Sequence, residues 1–213
     1  LIVVYTTFFS TYNLDRHRAF LTLGFYLGNI DQVLWSTTQG RILRYTNWPG
    51  GTFRFGNHFE PILLPLALTY FVYSGPETLL VLQTIVIALG AWPIYRITGH
   101  KLSNDWMGVL FALVYLLFPG LQAANQFDFH AVALAATFLA WAFWSVERER
   151  YDHFLIWGLL AASCKEDMPL IVAMMGLWVA LRGRRWLGSA TFVAGLAWTG
   201  VALLVVIPSF NSL

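Results

Sequence analysis

Four stretches of this chain, residues 77–97, 106–122, 129–146 and 187–207, are each almost wholly apolar and each long enough to cross a lipid bilayer. About 20 apolar residues in a helix span the hydrocarbon, with tilt absorbing small mismatches. Backbone inside lipid has no water to bond, so such stretches must be helices that satisfy their own N–H and C=O groups. The fold class that follows is all-α and polytopic. The composition agrees, with 58% hydrophobic and only 11% charged residues. A net charge of +2 with no long Lys/Arg run excludes nucleic acid as a partner.

Two further apolar stretches are harder to place. Residues 61–73 are short and carry Pro61 and Pro65, while residues 153–181 are cut by Lys165-Glu166-Asp167 and Pro169. The short basic connections, residues 96–101, 147–150 and 182–185, arbitrate, because such loops stay on the cytoplasmic side. An even number of crossings must then separate each from the next. Residues 106–122 and 129–146 supply two. Residues 153–181 must go out and return, as a hairpin of two short helices, 153–164 and 168–181, with the Lys-Glu-Asp turn on the outer side.

Residues 1–12 are apolar but too short for a full crossing, and they lack the basic flank and small-residue cleavage site of a signal peptide. They read as the outer end of a first membrane helix, and the chain is expected to be truncated at both ends. Residues 61–73 then fit an interfacial or re-entrant helix. The layout is a single transmembrane domain over 1–213. It has about seven crossings, a long first outer loop at 13–76 with short interfacial helices, and six further crossings within 77–210. A competing layout makes 61–73 a full span, which puts basic loops on alternating sides and separates the polar clusters.

An ionisable side chain inside a membrane costs several kcal/mol unless paired or hydrated, so the charges that remain are functional candidates. The layout puts Asp31, His58, Glu60, Asp128, His130, Lys165, Glu166 and Asp167 on one side. The loop 13–76 carries seven glycines and many aromatics, which suit a membrane–water interface, and residues 47–52 (N-W-P-G-G-T) read as a turn. It is either a lid on the headgroups or the roof of a cavity. Cys164, the only cysteine, excludes an internal disulfide and reads as a small buried hydrophobe.

Each cluster has two readings. Asp31 is either a general base or the N-cap of a short loop helix at 32–37. His58 and Glu60 either hold a phosphate oxygen and cap a helix or are hydrated interfacial residues. Asp128 and His130, with His58, supply three possible metal ligands, but no chelating run such as H-x-x-H supports an ion, and helix capping is the commoner outcome. Lys165 is either a point charge for a lipid phosphate, positioned by Glu166 and Asp167, or part of a self-neutralised turn. Arg54, in the outer loop against the positive-inside trend, is the preferred phosphate clamp.

The runs G-N-I-D-Q-V-L-W (28–35), F-R-F-G-N-H-F-E-P (53–61), L-L-V-L-Q (79–83), F-P-G-L-Q-A-A-N-Q-F-D-F-H (118–130) and C-K-E-D (164–167) resemble a bacterial and archaeal membrane family, domain of unknown function 2079 (DUF2079). The resemblance runs in order over nearly the whole chain. That family is similar to the C-type superfamily of integral-membrane glycosyltransferases. The resemblance implies an enzyme of the prokaryotic cytoplasmic membrane with its active side extracytoplasmic. It would transfer a sugar from a polyprenyl-phosphate carrier, with Asp31 in the first outer loop as the base on the acceptor hydroxyl. Gln32 stands where many superfamily members have a second acid, and Tyr26 where members of the family tend to have an Asp. Those departures leave open a non-catalytic accessory subunit of a larger photosynthetic or respiratory membrane complex, in which His58 or His130 ligates a pigment. A transporter would want broken helices in both halves, and only one break is visible. A divalent cation is the one cofactor the enzyme reading leaves room for.

Overall fold

The computed structural model describes residues 1–47 and 53–211, so the turn expected at 47–52 lies, from residue 48 on, outside the described residues. The described chain is helical, with one isolated bridge, Arg44 to Phe53, and no strand among the described residues. In chain order the helices are α1 (Ile2–Arg18), α2 (Tyr26–Thr38), α3 (Leu63–Leu66), α4 (Pro76–Leu89) and α5 (Ala91–Lys101). They continue with α6 (Asp105–Leu117), α7 (Pro119–Gln126), α8 (Ala131–Glu147), α9 (Tyr151–Ala162), α10 (Met168–Leu181), α11 (Arg185–Val201) and α12 (Ile207–Asn211).

Among the described residues, two helices are long and apolar enough to cross a membrane. One is α4–α5, continuous over Pro76–Lys101, and the other is Arg185–Asn211, where a π-helical stretch, Ala202–Val206, joins α11 to α12. The α6–α7 pair makes a third if its 46° bend lies within one span. The bend sits at Pro119, which has no N–H to bond back and forces Phe118 into an extended conformation, ψ 120°. Ala131–Glu147 and Met168–Leu181 are shorter apolar helices.

Some boundaries differ from the sequence expectation. Helix α1 continues past residue 12 to Arg18, and α2 begins at Tyr26. Asp31 therefore lies inside α2 and does not cap it. Residues 61–73 hold the one-turn α3 followed by a 3-10 helix, Ala67–Phe71, so no single helix runs through them. Residues 153–181 divide into α9 and α10 at the Lys-Glu-Asp turn, and the two run antiparallel. Phe154 near the start of α9 packs with Val179 near the end of α10 and with Val146 of α8, while Ala161 and Ala162 pack with Val172.

This antiparallel packing sorts the connections. At the C-terminal end of α8, the Glu147 carboxylate receives Lys101 Nζ at 2.5 Å and Arg182 Nη1 at 2.9 Å. One residue from each of the three basic connections thus meets at a single point. The N-terminal end of α8, about 25 Å away at 1.5 Å rise per residue, begins at His130 and faces the other polar clusters.

Close approach at Gly90, between α4 and α5, holds α4–α5 against α6 and α8. A Cβ there would lie 2.1 Å from Tyr115 Oη and 2.8 Å from Thr137 Oγ1. The largest core cluster joins α2, Leu43, Tyr45, α3, α4, α8 and the fully buried Cys164. It forms the floor of the polar end.

Candidate functional site

Among the residues expected to act, Arg54, His58, Glu60, His130 and Lys165 line one open cavity of about 160 Å³ at the polar end. Phe25, Tyr26, Asn29 and Ile30 of α2 and Phe129, Ala131 and Val132 at the start of α8 complete most of its wall. Five of the nine expected residues, drawn from three separate segments, are thus brought together.

The rest lie behind or beside that wall. Glu166, buried at the turn before α10, accepts from His58 Nδ1 at 3.0 Å and from the Phe59 backbone N–H at 3.1 Å. Burial alone would raise its pKa. The His58 bond, a bond from its own backbone N–H and that of Phe59 outweigh burial and hold the carboxyl below the ordinary range. An ionised carboxylate only accepts, so His58 Nδ1 carries a proton, and in the neutral imidazole Nε2 is then the lone pair. Asp167 stands 3.6 Å from Lys165 Nζ, a loose and solvated pair.

Arg54 Nε donates to Glu60 Oε2 at 2.7 Å, and both side chains are about nine-tenths buried. The arginine is therefore already neutralised. Arg54 also caps its own turn: the N–H groups of Asn57 and His58 donate to its carbonyl, which fixes His58 next to the buried pair.

Asp128 is buried with φ +48°, and both its oxygens accept from the Leu23 backbone N–H, at 3.1 and 3.3 Å. Burial pushes its pKa up, against lowering by that N–H and by His130, Arg16 and His17. Its side chain is turned to the α1–α2 connection, away from the cavity. Asp31 does not line the cavity either. Its Oδ1 accepts from Tyr70 Oη at 2.7 Å, and burial raises its pKa with a smaller push from the Glu77 charge.

The set His58, Asp128 and His130 is not assembled as a ligand shell. Among the described residues no group of three His, Cys, Asp or Glu side chains is placed to hold a metal ion. A divalent cation does not fit the residues present, and no step is routed through one.

Sequence reasoning missed the amides that position these groups. Gln83, fully buried on α4, donates to the carbonyl of Asp128 at 2.8 Å and accepts from the His130 N–H at 2.9 Å. Asn13 donates to the Asn125 carbonyl at 3.1 Å, and Thr84 donates to Asn125 Oδ1 at 3.0 Å. Arg16 also bonds the Gln126 carbonyl. Together they clamp the α7–α8 junction onto α1 and α4 and aim His130 at the cavity, its Nδ1 donating to Phe127 O at 3.0 Å. Asn29 was missed as well. It is 97% buried by its 3% exposure, and its Oδ1 has no hydrogen-bond partner.

An apolar groove of about 420 Å³ runs between α9, α10 and α11, from Phe154 and Leu187 at the basic end to Ala162, Pro169 and Trp198 at the polar end. It stops under the Lys165–Asp167 turn, where Thr199 Oγ1 donates to the Glu166 carbonyl at 3.0 Å and Trp198 meets Phe59 with ring centroids 6.3 Å apart. The indole N–H of Trp198 is buried without a partner. The groove thus ends at Ala162 and Pro169, which flank the turn whose Lys165 lines the cavity.

Apolar helices of spanning length joined to a buried polar end define an integral membrane protein of the multi-helix class. The model of the predicted membrane protein family DUF2079 matches residues 16–213, and the chain belongs to that family. No curated protein and no solved structure matches it.

Proposed function

We propose that this chain is a membrane glycosyltransferase-like protein that takes a sugar from a polyprenyl-phosphate carrier. The observation that carries the reading is that a polar cavity is lined by Lys165 and an apolar groove ends at Ala162 and Pro169, on either side of the same turn. A lipid-linked sugar has the same three parts in the same order. The isoprenoid lies in the groove, the phosphate rests at Lys165 and the sugar enters the cavity. An apolar cavity of about 150 Å³ holds one benzene ring, so the observed 160 Å³ suits a single pyranose ring.

The topology belongs to the same proposal: seven crossings in the prokaryotic cytoplasmic membrane, the loop 13–76 outside, and the cavity extracytoplasmic. The shared contact of Lys101, Glu147 and Arg182 supports it, since basic connections gather on the cytoplasmic side. In a Cys164→Ser background, cysteines placed at Arg148 and Asp167 are expected to react with a membrane-impermeant maleimide from opposite sides. Labelling of both from one side overturns the layout.

The function is tested by binding. Protein in nanodiscs is titrated with undecaprenyl phosphate and with undecaprenyl-phosphate-linked hexoses, read by tryptophan fluorescence. The linked sugars are expected to bind more tightly than undecaprenyl phosphate, and Lys165→Ala to weaken both by at least tenfold. Binding of every probe no tighter than phosphatidylglycerol rejects the reading.

A further inference from the structure

Resting on the sugar-transfer reading, we infer that the proton acceptor of the site is His58 Nε2, held in place by Glu166, and that Asn29 holds the attacking hydroxyl in the same cavity. Arg54 is consumed by Glu60, and His130 Nδ1 by the Phe127 carbonyl. Two imidazoles line the cavity, each engaged through Nδ1, His130 with the Phe127 carbonyl and His58 with the Glu166 carboxylate. Of the two, His58 has an anion behind it to stabilise an imidazolium; Asn29 Oδ1 is buried without a partner.

A buried amide oxygen without a partner is a penalty that a ligand O–H donating to it removes. A polyol supplies such donors and a bare phosphate diester does not. Asp31 is excluded from this role by direction. Tyr26, Asn29 and Ile30 turn one face of α2 to the cavity, while Asp31 lies on another face, against Tyr70.

The step balances as follows. His58 Nε2 takes the hydroxyl proton. The freed oxygen bonds to C1 of the sugar, and the C1–O bond to phosphate breaks with its electron pair leaving on the lipid phosphate beside Lys165. The imidazolium then returns its proton to water. Glu166 is a positioning residue: it fixes the tautomer and stabilises the imidazolium without touching substrate.

Hydrolysis needs no known acceptor, so the experiment measures release of labelled sugar from undecaprenyl-phosphate-linked hexoses by the full chain in nanodiscs. His58→Ala is expected to lose about 10²- to 10⁴-fold in turnover, with donor affinity held within threefold and part of the rate restored by added imidazole. Imidazole rescue distinguishes a lost base from a lost fold. Glu166→Gln should lower turnover without changing KM, and so should Asn29→Ala, which leaves the attacking water unheld. Wild-type turnover in His58→Ala together with loss in Asp31→Asn overturns the inference and leaves the sugar-transfer reading standing.

If wild-type protein binds and cleaves none of the probes, the sugar-transfer reading falls. The site is then judged without substrate by diethyl pyrocarbonate and mass spectrometry. Modification of His58 at Nε2 sustains its assignment as an open proton acceptor. Resistance of His58, with His153 modified in the same sample, overturns it.

Discussion

The two ends of the helical assembly use the same ingredients to opposite effect. At the basic end, Glu147 is contacted by two half-exposed cations, Lys101 and Arg182, beside an open cavity of about 220 Å³ that it lines with Lys101 and Arg148. At the polar end, Glu60 and Glu166 are buried and each is paired with one basic side chain, Arg54 and His58, which line the open cavity. A carboxylate shared by solvated cations is a staple. A carboxylate buried behind one nitrogen base is an orienting device. The difference lies in how many partners reach the acid and how much water reaches the partners.

The largest effect that would test this contrast is at Arg54. Removing one member of a buried pair strands the other charge, so Arg54→Ala is expected to cost about 3–5 kcal/mol, measured by thermal unfolding in detergent. The double change Arg54→Met with Glu60→Leu should recover most of it. Failure to recover would show that the pair does more than neutralise itself. Next comes Gln83→Leu, which strands the Asp128 carbonyl and the His130 N–H. A loss of about 1–3 kcal/mol per unsatisfied group is expected, and His130 should become more reactive to diethyl pyrocarbonate. An unchanged melting curve would deny the clamp.

At the basic end the expected effect is smaller. Glu147→Gln removes two partly solvated pairs and should cost about 1 kcal/mol, shrinking further in high salt, whereas the Arg54→Ala loss should not. Equal salt sensitivity at both ends would erase the distinction.

The pH dependence separates two acids at the polar end. Glu166 is lowered from its ordinary value of 4.5, so its stabilising contribution is complete above that value and is lost as pH falls through the lower folded value. The stability gap between wild type and Glu166→Gln should therefore close in acid. Asp31 is raised from 3.8, so its ionisation opposes folding. Its contribution is present below 3.8 and lost as pH rises through the higher folded value. Asp31→Asn should thus be slightly stabilising at neutral pH, with the gain vanishing in acid, the smallest effect of the set. A destabilised Asp31→Asn would mean that Tyr70 needs the charge.

The part of this contrast that depends on counting was legible in the sequence. Lengths of apolar runs and the placing of Arg96, Arg148 and Arg182 bring the three basic connections to one side, and their residues do meet at Glu147. The division of residues 153–181 at Lys165-Glu166-Asp167 was readable for the same reason, since a charged triplet cannot continue through lipid. Partners were not readable. His58 and Glu166 are 108 positions apart, and Gln83 reaches backbone carbonyls that any sequence would offer. The start of α2 was missed because no Ser, Thr, Asp or Asn side chain caps it. With its first turn unmarked, Asp31 passed for a cap when it is an interior residue. Asn29, two positions earlier, drew no notice because a neutral amide among apolar residues looks like a solvated one.

The Glu147 contact also carries a consequence for how the chain is built. Synthesis runs from the N-terminus, so Lys101 is already in place when Glu147 emerges at the end of α8. Arg182 arrives only after α9 and α10 have been made and have doubled back. The carboxylate therefore acquires its second cation only if that hairpin has returned to the side it left from. A hairpin that failed to double back would leave Glu147 half-matched. One glutamate thus joins a segment made early to one made late.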